Sequence, residues 1–109
     1  MRNSVIVEKM IMYIDKIQSY APGVDEQMFG NNVMLVDACV FNLSQLGELV
    51  RHLEEEYKET HSEIPWLKIS GLRHHIVHDY EGIIVSRIWN TINNNLPELK
   101  DQLTIILAE

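Results

Sequence analysis

Cysteine is almost missing: Cys39 is the only one in 109 residues. No disulfide can form within the chain, which fits a reducing, cytoplasmic setting. Proline and glycine are also scarce, at three and five residues, and they build no linker, repeat or low-complexity segment. No apolar run approaches the ~20 residues needed to span a bilayer, so no membrane partner is expected. The stretch Met1–Lys16 alternates apolar residues with Glu8, Lys9 and Asp15. It lacks the continuous apolar core and small-residue cleavage site of a signal peptide. Positive charge is in deficit, with nine Lys and Arg against sixteen Asp and Glu, a net charge of −7. A surface that binds nucleic acid by general electrostatics is usually basic. Nucleic acid must therefore be held at a local basic notch, or the acidic surface meets a basic protein instead. Strand-like alternation of useful length is absent as well, and the chain reads as all-α.

The 46% hydrophobic content supports one domain over residues 1–109 with a single modest core. Val7, Met10, Ile11, Ile14 and Ile17 predict a first helix over 4–20, capped by Ser4 or Asn3 and closed by Pro22-Gly23. Residues Asp25 to Phe29 suit one turn before Gly30-Asn31-Asn32. Cys39, Leu43, Leu46, Val50, Leu53 and Tyr57 step by four and three, which predicts one continuous helix over 33–58. Gly47 inside it is suited to close approach by another helix. Pro65 fits the first position of the next helix, with Trp66, Ile69, Leu72 and Ile76 on its buried side and an end near Asp79–Gly82. A further helix is expected over 83–93, stopped by Asn93-Asn94-Asn95. Pro97 then starts a last one with Leu99, Leu103, Ile106 and Leu107 inward. The expected architecture is a helical bundle of four main helices plus a short C-terminal helix.

Chemistry concentrates in Gly71–Gly82, where three of the five histidines and an arginine fall within six residues. Arg73 carries a fixed planar charge that holds two phosphate oxygens. His78, with an ordinary pKa near ~6.5, donates and accepts a proton at cell pH. The pair suffices for RNA cleavage without metal, cofactor or covalent nucleophile. Five residues on a helix leave about 140° between them, so they meet only if the helix ends or bends, or if a second chain supplies a copy. A homodimer is expected on that ground. The bland alternatives are a helix-end arginine paired with Asp79 and a histidine favoured by the helix dipole. His74 and His78 have metal-ligand spacing, but no nearby cysteine or third histidine completes a set, and no metal site is expected.

The landmarks Asn42-Leu43…Leu46-Gly47-Glu48, Ile64-Pro65-Trp66, Leu72-Arg73-x4-His78-x-Tyr80 and Trp89-x6-Leu96-Pro97-Glu98-Leu99 occur in an order that resembles the HepT-like branch of the HEPN superfamily. The resemblance runs from the first helix to the last. It implies a dimeric all-α bundle with Arg73 and His78 as catalytic residues in a cleft between protomers. It also implies a metal-independent ribonuclease acting as the toxin of a toxin–antitoxin pair. The partner it implies is a nucleotidyltransferase antitoxin that silences the enzyme by transferring AMP to Tyr80, and Glu48 would lie near the same cleft. The chain departs from the usual pattern at His74, where relatives often have asparagine, and at Glu81, an added negative charge. The alternative reading is a non-catalytic HEPN subunit that docks and regulates a nucleotidyltransferase, with a nucleotide-sensing module as a third.

Overall fold

The chain's helices follow its apolar stripes. The computed structural model describes residues 2–20, 22–79 and 85–109, and over 73–79 the backbone alone. Helix α1 (Asn3–Ser19) buries Ile6, Val7, Met10, Ile14 and Ile17 on one side. The short helix α2 (Glu26–Asn31) is capped by Asp25, whose Oδ1 accepts from Met28 N at 2.8 Å. Asn32 caps α3 (Val33–Val50) in the same way, its Oδ1 accepting from Leu35 N at 3.1 Å. Such caps satisfy a backbone donor that the first helical turn leaves open. Helix α4 (Glu55–Thr60) and α5 (Trp66–Asp79) follow, then α6 (Val85–Asn90), a π-helical turn (Thr91–Asn95) and α7 (Leu96–Leu107). No strand occurs among the described residues, and the fold is all-α.

Helix α3 lies between α1 and α5, and α7 returns along α1, while α2 packs on α3 and α6. One buried cluster joins them, drawing Met10 and Ile14 from α1, Leu43 and Leu46 from α3, Ile69 from α5 and Leu103 from α7. By length and composition alone α3 could cross a membrane, with a mean hydropathy of 1.4 over 18 residues. Here its buried side, Val36, Cys39, Leu43, Leu46, Gly47 and Val50, is the wall on which neighbouring helices pack. Among the described residues one polar side chain is buried in the core, Asn42, 2% exposed. Its Nδ2 donates to Ala38 O at 2.7 Å and to Tyr20 Oη at 2.9 Å, tying the middle of α3 to the end of α1. Across the outside, Lys100 Nζ pairs with Asp15 Oδ1 at 2.6 Å and joins α7 to α1.

Three expectations need correction. The helix expected over 33–58 ends at Val50, and residues 51–54 separate it from α4. The chain tightens there through i→i+3 bonds, Arg51 N to Glu48 O, His52 N to Leu49 O and Leu53 N to Val50 O. The break puts Glu55 and Glu56 in the first turn of a new helix, where the dipole favours carboxylates. In one long helix they would sit at its unfavourable C-terminal end. The second correction concerns Asn93-Asn94-Asn95, which does not stop the helix: α6 passes through the π turn straight into α7. Leu96 N donates to Thr91 O, the i→i+5 bond of that turn. Pro97 explains it, because its ring would collide with the carbonyl four residues back in a regular helix. The asparagines satisfy the loosened backbone: Asn93 Nδ2 donates to Trp89 O, and Thr91 Oγ1 to Arg87 O, each at 2.9 Å. Third, neither Ser4 nor Asn3 caps α1. Arg2 occupies that position without a side-chain bond, and Asn3 Oδ1 instead accepts from Glu54 N at 3.2 Å, holding the 51–54 break against α1.

Candidate active site

Helix α5 carries the residues singled out for catalysis, and its start is firmly placed. Trp66 is 8% exposed, and its indole Nε1 donates to Lys58 O at 3.2 Å and to His61 O at 3.0 Å. Ile64 just before it is buried. The rings of Tyr57 and His61 meet at 4.7 Å. His61 lies 3.9 Å from a carboxylate oxygen of Glu63 and 3.7 Å from one of Glu109. The Tyr57 hydroxyl is pushed above its ordinary pKa by burial and, secondarily, by the Glu109 carboxylate. The N-terminal end of α5 is thus stapled to α4 and to the end of α7.

From that anchor the helix runs without a break through Arg73 and His78 to Asp79. The helix therefore does not end between the two residues. At about 100° per residue, Arg73 falls about 40° from Ile69, and His78 about 20° from Leu67. Those two reference side chains are opposites, Ile69 being 4% exposed and Leu67 87%. In register, the arginine position continues the core-side row and the histidine position continues the solvent-side row. Tyr80 and Glu81 lie outside the described residues, as does Gly82, and so do the side chains of Arg73, His74, Ile76 and His78.

Beside α5, helix α3 shows Met34, Phe41 and Glu48 at seven-residue steps, which keeps them on one row. Met34 is 83% and Phe41 59% exposed, large apolar side chains turned outward beside an acid. Glu48 pairs with Arg51 Nη1, at 3.2 Å and 3.3 Å from its two oxygens, and His52 Nε2 stands 3.9 Å away. On another side of α5, a groove of about 430 Å³ separates it from the π turn and α7. Its floor is apolar, with Ile69, Leu96 and Leu99 buried. Nothing in the sequence singled this groove out. Its polar residues are spread over distant segments, and Asn95 reads there only as part of a helix stop. A second cavity, of about 290 Å³, lies under α2 and is lined in part by Cys39, Phe29 and Trp89. Burial pushes the Cys39 thiol up to about 11, so it stays protonated and unreactive at neutral pH.

Comparison with known proteins agrees with this helical frame. The family described as ribonuclease HepT-like matches residues 10–106. A protein of Caldanaerobacter subterraneus subsp. tengcongensis, named as a presumed RNase, is 38% identical over 87 residues, 80% of this chain and 78% of that protein. A presumed RNase of Methanocaldococcus jannaschii is 26% identical over 100 residues, covering 92% of this chain and 86% of its own. A protein of Thermococcus cleftensis, named probable ribonuclease HepT, is 32% identical over 63 residues, 58% of this chain and 57% of that one. No solved structure matches the chain at a significant level. The match runs through α1, α3, α5 and α7, and the chain belongs to the HepT-like ribonuclease family of the HEPN superfamily.

Proposed function

We propose that the protein is a metal-independent endoribonuclease, the toxin of a toxin–antitoxin pair, working as a homodimer in the cytoplasm. Arg73 holds the scissile phosphate and His78 moves the proton between the 2′-hydroxyl and the leaving oxygen. The observation that carries this reading is the continuity of α5. One unbroken helix sets the two positions about 140° apart, so a single copy of α5 does not offer both to one phosphate. Two copies related by a two-fold axis do, Arg73 of one facing His78 of the other. The exposed apolar side chains Leu67, Phe41 and Met34 on α5 and α3 suit such a contact. A nucleotidyltransferase antitoxin then silences the enzyme by transferring AMP to Tyr80. The added phosphate, two residues from His78, repels an RNA backbone. The net charge of −7 favours the second reading, a non-catalytic subunit that regulates the nucleotidyltransferase.

The deciding experiment is RNA cleavage in EDTA by wild type, Arg73→Ala, His78→Ala and a refolded mixture of the two variants. Each variant alone is expected to lose activity by about 10²-fold or more. The mixture regains about a quarter of wild-type activity, because half the dimers are mixed and each mixed dimer holds one intact composite site. Loss without recovery places the pair within one protomer. Cleavage by His78→Ala at the wild-type rate removes His78 from the mechanism. An unmodified, folded wild type that never cleaves RNA gives the protein to the regulatory reading, and the intact mass distinguishes that case from a chain silenced by AMP.

A further inference from the structure

The groove between α5 and α7 has the chemistry of a nucleobase site. Its walls are aliphatic, with Ile69, Leu96 and Leu99 as floor and Leu72 half-buried at one side. Its volume of about 430 Å³ falls in the range of small-molecule sites and suits one nucleoside. Its polar lining holds three neutral hydrogen-bonding side chains, Thr91, Asn95 and Gln102, beside the charged Glu63, Lys68 and Glu98. Thr91 Oγ1 already donates to Arg87 O, so towards the groove it offers only acceptor lone pairs. Asn95 Oδ1 accepts from Asn90 Nδ2 at 3.5 Å, which leaves its Nδ2 as the donating end. Gln102 carries both a donor and an acceptor on one planar group. A base presents flat apolar faces and an edge of mixed donors and acceptors, and single-stranded RNA is read through those edges.

Charge argues for the base and against the backbone. Lys68 is the single cation among the groove's described lining residues, and Glu63 and Glu98 outnumber it. A track for phosphates requires the reverse balance. A chain with a net charge of −7 gains most from RNA by taking hold of its uncharged part. Position argues for relevance to cleavage. The groove lies along Ile69 and Leu72, and Arg73 follows Ile69 by one helical turn, about 6 Å along the axis. A base seated here lies within reach of a phosphate held at Arg73. The π turn brings the pieces together, since Thr91 and Asn95 belong to it and Leu96 closes it.

We infer that this groove is a base-specificity subsite, in which the side chains of Thr91, Asn95 and Gln102 read one nucleobase of the bound RNA. The inference rests on the ribonuclease reading for its substrate class and deepens it by assigning sequence preference to a surface outside the Arg73–His78 cleft. Base preference follows the amide of Gln102. Occupancy depends weakly on salt, because no run of phosphates is neutralised there.

Two measurements on the full-length protein separate this inference from the catalytic reading. Nuclear magnetic resonance titration with AMP, GMP, CMP and UMP is expected to move the side-chain amides of Asn95 and Gln102 saturably. The tightest and weakest nucleotides should differ by about fivefold, the equivalent of one hydrogen bond of ordinary strength. Gln102→Ala, checked for fold by its backbone spectrum, should level the four affinities, and Gln102→Glu should change which is favoured. The second measurement is cleavage of four oligoribonucleotides differing at one base beside the cut. Gln102→Ala should flatten their ratio. Groove shifts with no cleavage by any form, the intact mass showing no added AMP, overturn the ribonuclease reading and leave the groove a nucleotide site. Cleavage with no nucleotide-induced shift at Asn95 or Gln102, or with an unchanged base ratio in Gln102→Ala, overturns the inference and leaves catalysis standing. A groove that responds to a basic peptide and to no nucleotide belongs to a protein partner and also overturns it.

Discussion

Replacing Trp66 with phenylalanine tests whether α5 is held from its first residue. The indole N–H reaches two carbonyls, those of Lys58 and His61, at 3.2 Å and 3.0 Å. The His61 carbonyl has a second donor in Ile64 N at 3.2 Å, so the Lys58 carbonyl suffers more from the substitution. Losing a hydrogen bond of ordinary net strength costs about 1 kcal/mol, and leaving a half-buried carbonyl unpaired adds about 1–2 kcal/mol. The smaller ring forfeits some apolar contact besides. The expected destabilisation is therefore about 2–3 kcal/mol, and Trp66→Ala should reach about 3–5 kcal/mol. Urea unfolding followed by far-ultraviolet circular dichroism at one fixed protein concentration is the appropriate assay, because self-association would otherwise shift the midpoint. With a slope of about 2 kcal/mol/M, the Trp66→Phe midpoint should fall by about 1–1.5 M. A midpoint within about 0.3 M of wild type at unchanged slope refutes the staple. In that case the placement of α5 would have to come from α3 alone.

Stability should also respond to alkaline pH through Cys39. Its thiol is raised by burial from an ordinary 9.0 to about 11, so the folded state favours the protonated form. The contribution is complete below about pH 9 and is lost as pH rises towards about 11. Denaturation midpoints over that window should fall more steeply for wild type than for Cys39→Ala, and equal slopes refute the assignment. The Lys100–Asp15 pair between α7 and α1 has side chains 38% and 50% exposed. Lys100→Ala should therefore cost less than about 1 kcal/mol in the same urea assay, and a loss above about 2 kcal/mol means that the lysine's aliphatic stem carries packing between the two helices.

Much of the bundle is written in periodicity, and the rest is hidden where periodicity is blind. The row from Val7 to Ile17 and the pair Leu99 and Leu103 became buried faces because each lies in a single uninterrupted helix. The step from Val50 through Leu53 to Tyr57 looks the same to a helical template, yet a four-residue turn intervenes. That turn keeps Leu53 in the core while handing Glu55 and Glu56 to a new helix start. The asparagine run has the opposite fault. Its composition signals a stop, while Pro97 and side-chain bonds to Trp89 and Asn90 carry the helix through. The Arg73–His78 spacing was readable at once, because both positions fall on one segment of α5. The groove was not, because Leu72, Asn95 and Gln102 line one surface only once α7 has folded back along α1.

The π turn also acts as a phase corrector for the whole C-terminal third. Ile88 and Leu96 are both buried, yet eight regular helical residues between them would turn two circles and about 80° more. Taking up one extra residue, worth about 100°, returns Leu96 to within about 20° of the side that Ile88 occupies. Every inward residue of α7 inherits that setting. Inserting one further residue among 91–95 would rotate Leu99, Leu103 and Ile106 out of the core together by about 100°, whereas deleting one would leave a regular α-helix that keeps their setting. The segment should therefore tolerate the loss of one residue far better than the gain of one.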